Sequence, residues 1–87
     1  MDLEKIKNAL YFGNEILEES ENFLKLFNAY TAEQQQSSEV KNAINNFCLA
    51  INKKINELEN FKNSAYELEI NEQISSLKIA YQTWSSL

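Results

Sequence analysis

Between Leu3 and Tyr30, apolar residues return at the spacing of a helix. In a heptad frame starting at Leu3, the a and d places are Leu3, Ile6, Leu10, Gly13, Leu17, Ser20, Leu24 and Phe27. Ala9, Ile16, Phe23 and Tyr30 stand beside them at g, and Phe12 and Leu26 at c. At 3.6 residues per turn these four positions form one arc of about 160°. The opposite face carries Lys7, Asn8, Asn14, Glu15, Glu18, Glu21 and Asn22. The pattern predicts a helix over about 2–30, with Asp2 capping its free N–H groups. So wide an arc needs two neighbouring helices to cover it, or one helix and a partner chain. Gly13 sits mid-helix on the apolar seam, where it costs about 1 kcal/mol relative to Ala. Close approach of another helix is the first explanation for it, and a local bend the second.

From Thr31 to Ser38 the periodicity stops, which marks the best linker in the chain. Thr31 and Gln34 have capping-box spacing, so part of the linker is a candidate for helix. Ser37 or Ser38, followed by Glu39, is the expected cap of a second helix over about 39–61. Its stripe is Val40, Ile44, Phe47, Ile51, Leu58 and Phe61, with Cys48 and Ile55 beside it. Ala43 and Ala50 flank the stripe and are small enough to let a neighbour pack closely. Leu49 falls on the otherwise Asn-rich outer face. A third stripe, Ile70, Ile74, Leu77, Tyr81 and Trp84, is shifted in phase by about two residues, which requires a break or strong bend near 62–68. Ser64 and Glu67 have capping-box spacing, so a third helix is expected over about 65–86. One bent helix through 39–86 is the alternative.

Eighty-seven residues are enough for one domain, so 1–87 is expected to be a single helical domain. Its predicted fold class is all-α, an up-down-up three-helix bundle. A long helical hairpin that dimerises into a larger bundle is the alternative.

Composition removes most chemistry. The chain has no His, Arg or Pro, one Cys and a formal charge of −5. Without His, neither a Ser-His triad nor a His/Cys metal site of the usual kind can be built. A lone Cys48 cannot close an internal disulfide, which points to a reducing compartment. A net negative chain without Arg is a poor match for nucleic acid. Met1–Lys7 holds two acids and no apolar run, unlike a signal peptide, and no segment approaches the ~18 apolar residues of a membrane span. The expected location is cytoplasmic. Twelve Asn against one Gly suit an A/T-rich bacterial or phage genome. Glu18/Glu19 and Glu67/Glu69 read as solvated helix faces rather than acid–base pairs, since they fall on or near polar faces.

No catalytic, cofactor or metal residue is therefore expected, which leaves contact with another protein. Glu15, Glu18, Glu19 and Glu21 are the densest acidic cluster, suited to steering a basic partner. Tyr11, Leu49 and Ile79 fall on otherwise polar faces, and Trp84 is expected to be half covered near the C-terminus. The expected partner-binding set is Tyr11, Glu15, Glu18, Glu19, Leu49, Ile79 and Trp84. It fits a small acidic inhibitor, immunity-like or antitoxin-like factor whose partner is another protein, a basic one being the best match in charge. A self-assembling helical module, binding itself as a homo-oligomer, is the alternative. The phenylalanines, Phe12 included, are assigned to the core.

Overall fold

Each of the three apolar stripes becomes a long helix, seen here in a computed structural model that describes residues 3–61 and 65–87. The helices are α1 (Leu3–Ala29), α2 (Ala32–Gln35), α3 (Ser38–Glu59) and α4 (Glu67–Ser85), and no strand occurs among the described residues. The long helices pack pairwise, each against the other two, in a body 48 × 19 × 17 Å across. The architecture is all-α.

Helix ends follow local chemistry. Thr31 caps α2 in a complete capping box: Gln34 N donates to Thr31 Oγ1 at 3.2 Å, and Thr31 N to Gln34 Oε1 at 2.9 Å. Ser37 is the cap of α3, accepting from Val40 N at 3.3 Å. Gln35 reaches back from α2 and donates to Phe27 O at 2.8 Å, a carbonyl of the last turn of α1 that also accepts from Tyr30 N at 3.1 Å. α3 and α4 are two helices rather than one bent one. α4 begins two residues later than the sequence predicts, with Tyr66 at its N-cap position and Ile70 N bonding to Tyr66 O at 2.9 Å. The expected caps Asp2 and Ser64 lie outside the described residues.

The core draws on all three stripes. Ile6, Ile51, Leu58, Ile70 and Leu77 are its largest fully enclosed side chains. Trp84 differs from the half-covered position expected of it and is 2% exposed. It stacks on Phe47 of α3 at 5.8 Å between centroids, tilts against Phe23 of α1 at 5.5 Å and meets Phe27 edge-on at 6.1 Å. Its Nε1–H donates to Ser20 Oγ at 2.6 Å, so the indole's single polar atom is satisfied inside the core. Phe12 departs from expectation in the opposite sense: it is 52% exposed rather than buried. The apolar arc of α1 is wider than α3 and α4 together can cover, and Phe12 and Leu26 at its edge stay in solvent.

Gly13 marks a close approach, as its place on the seam predicts. The Gln73 side chain of α4 lies across it, 7% exposed, and donates from Nε2 to Leu10 O at 2.8 Å and Asn14 Oδ1 at 3.0 Å. A Cβ at position 13 would fall on that carboxamide, 2.5 Å from Cδ and 3.0 Å from Nε2. Gln73 Oε1 has no conventional donor. It lies against the bare Cα of Gly13, too close to the place of a Cβ for any side chain to stand there.

Candidate functional site

The residues that could meet another molecule gather on one side of α1 and the adjoining flank of α3. Tyr11 and Phe12 are neighbours in sequence, 61% and 52% exposed, and pack edge to face at 5.4 Å. Glu15, Glu18 and Glu19 follow within two turns and are all exposed. The helical period puts Tyr11 and Glu18 on the outermost part of this surface, and Phe12 and Glu19 nearer α3.

Between the helices runs an open groove of about 380 Å³, walled by Phe12, Glu15 and Glu19 of α1 and by Lys53, Lys54 and Glu57 of α3. It continues past Ile16, Ala43, Phe47 and Ala50, so its floor is apolar and, on the α3 side, made largely of methyl groups. Lys54 is committed within the chain: its Nζ pairs with Glu57 Oε1 at 2.5 Å and lies 6.0 Å from the Phe12 ring centroid, within cation–π range. No salt bridge among the described residues reaches Glu15, Glu18, Glu19 or Lys53. The two banks thus face each other with uncommitted charges of opposite sign.

Leu49, 68% exposed, sits one helical turn from Lys53 and from Asn46, at the outer rim of the α3 bank. Five of the seven sequence-predicted residues, Tyr11, Glu15, Glu18, Glu19 and Leu49, therefore share this face. Ile79 is exposed but belongs elsewhere, on a groove between α1 and α4 that also borders Ser20 and Thr83. Trp84 is a core residue whose surface is already covered by three phenylalanines. Sequence reasoning missed Phe12 and Lys53. The available signal for Phe12 was the excess width of the arc it belongs to; for Lys53 it was its place beside Lys54, the one pair of adjacent lysines in the chain.

Cys48 is half-buried, and burial pushes its thiol above its ordinary pKa, which keeps it protonated and weakly nucleophilic. Among the described residues no group of three or more His, Cys, Asp or Glu side chains is placed to hold a metal ion. None of the described helices is long and apolar enough to cross a membrane. Comparison with known protein families, curated protein sequences and solved structures finds no match.

Proposed function

We propose that the chain is a non-enzymatic protein-binding module that engages its partner through the acidic side of α1, with apolar anchors beside it. The carrying observation is the exposed Tyr11–Phe12 pair followed by uncommitted glutamates on the same side of one helix. Aromatic side chains supply most of the energy at interaction hot spots, while surrounding charges set approach rate and selectivity. On this reading Tyr11 and Phe12 are the anchors, and Glu15, Glu18 and Glu19 steer and orient a basic surface. The chain then acts as a cytoplasmic inhibitor or antitoxin-like factor, in keeping with its acidic balance and lone thiol.

The scaffold we propose for it is an up-down-up bundle. The contacts of Leu10 with Gln73 and of Ser20 with Trp84 support α1 and α4 running the same way, and those of Phe12 with Lys54 and of Phe23 with Phe47 support α3 running against them. Such an arrangement holds α1 along its length and leaves its outer side available.

The test is capture of basic proteins by the immobilised chain over a salt series, in parallel with a variant carrying Glu15→Lys, Glu18→Lys and Glu19→Lys. Capture should weaken with salt and disappear in the variant. Equal capture by both chains would exclude the acidic side of α1 as the contact. Self-association is the second reading, favoured by the oppositely charged banks of the groove.

A further inference from the structure

We infer that the α1/α3 groove is occupied by the same groove of a second copy of this chain, which rests on the self-association reading above and gives its arrangement. The argument begins with sign. The α1 bank carries Glu15 and Glu19, and the α3 bank carries Lys53, all lining one groove and therefore at one level along the helices. A foreign basic helix would satisfy the glutamates but press like charge on Lys53. A second copy supplies both signs at once.

Symmetry then selects the arrangement. Face-to-face pairs of identical subunits are related by a two-fold axis. An axis perpendicular to the helices would lay α1 on α1, glutamate against glutamate. An axis parallel to the helices lays each α1 over the partner's α3 without changing level, so Glu15 and Glu19 of each chain meet the partner's Lys53. The same superposition brings together the two floors, where Ala43 and Ala50 permit close approach, and covers Phe12.

The experiment is sedimentation equilibrium of the full chain over a concentration series, with Lys53→Glu, with Glu19→Lys, and with an equal mixture of the two variants. The wild type should shift from 10.1 kDa toward twice that mass as concentration rises. Each variant alone sets like charges face to face and should raise the dimer dissociation constant at least about tenfold. The mixture should recover the dimer, because in a mixed pair both contacts between positions 19 and 53 are again between opposite signs. Circular dichroism melts of the variants, run at concentrations where every chain is monomeric, should match the wild type, since both positions are exposed.

A wild type that stays monomeric throughout overturns the inference, and so does a dimer that both variants leave unchanged. If the chain is monomeric yet loses a basic protein on reversal of Glu15, Glu18 and Glu19, the second copy is refuted and the protein-binding reading survives. If neither self-association nor capture depends on these charges, both readings fall.

Discussion

Gly13→Ala should change the sign of its effect when Gln73 is removed. Alanine in the middle of α1 gains about 1 kcal/mol over glycine through helix propensity alone. In the native background that gain is opposed, because the new Cβ occupies the place of the Gln73 carboxamide. The side chain has to withdraw and give up its bonds to Leu10 O and Asn14 Oδ1, each worth about 1 kcal/mol. The expected net result is destabilisation by about 1 kcal/mol, a fall in melting temperature of about 4–8 °C for a chain of this size. In a Gln73→Ala background nothing stands opposite the Cβ, and the same Gly13→Ala change should stabilise by about 1 kcal/mol. The coupling between the two positions is then about 2 kcal/mol, well above the few tenths expected of independent sites. Urea denaturation of the four chains, followed by far-UV circular dichroism, measures it. Stabilisation of similar size in both backgrounds would refute the claim that Gly13 is there to admit Gln73.

Trp84→Ala should remove about 3–5 kcal/mol, much of the stability of a chain this short, whereas Trp84→Phe should cost less because the ring stacking survives the loss of the bond to Ser20; urea unfolding read by circular dichroism separates them. Cys48 should react with thiol reagents more slowly in the folded chain than in urea. Its folded pKa is raised, so the stability it contributes is complete below the unfolded value of about 8.5 and is lost as pH rises through the folded value. The melting temperature of the wild type should accordingly drop more steeply into alkaline pH than that of Cys48→Ala. Leu49→Ser and Ile79→Ser should each change stability by no more than about 0.5 kcal/mol, as expected of exposed positions outside the core, which thermal melts will check.

The helices were legible because burial of one side imposes a period that polar residues cannot imitate. The stripe of α4 is the plainest case, with Ile70, Ile74, Leu77 and Trp84 all buried. What periodicity does not convey is how a polar residue inside a stripe is satisfied. Gln73 and Ser20 are polar residues turned into the core, and each makes a bond across the α1/α4 seam to a residue more than sixty positions away. Trp84 misled for a related reason. It lies three residues from the C-terminus, where helices fray, but α1 and α3 both extend alongside it and supply the phenylalanines that enclose it. At the candidate site the outward glutamates followed directly from the helical wheel. Lys53 did not, because its importance lies in facing α1 across a groove, and that depends on how two helices meet.

The two seams of α1 are built differently, and the difference explains which side is free to bind. Along α4, α1 is held by directional bonds at Gln73 and at Trp84, which fix register because a slip would strand polar atoms inside the core. Along α3, contact is made by Phe23 against Phe47 and by the Lys54 ammonium over Phe12, beside a floor of alanines. Apolar contacts of this kind tolerate an additional neighbour, since a ring or methyl group has no direction to satisfy. A second surface arriving over α1 and α3 would extend the existing core outward and cover Phe12, whereas one arriving over α1 and α4 would meet a groove of similar size whose base is crossed by the polar bonds of Gln73 and Trp84. On the proposed reading the α1/α3 side is the binding side because Phe12 lies exposed there and uncommitted charges of opposite sign line its two banks, and those charges decide what completes it.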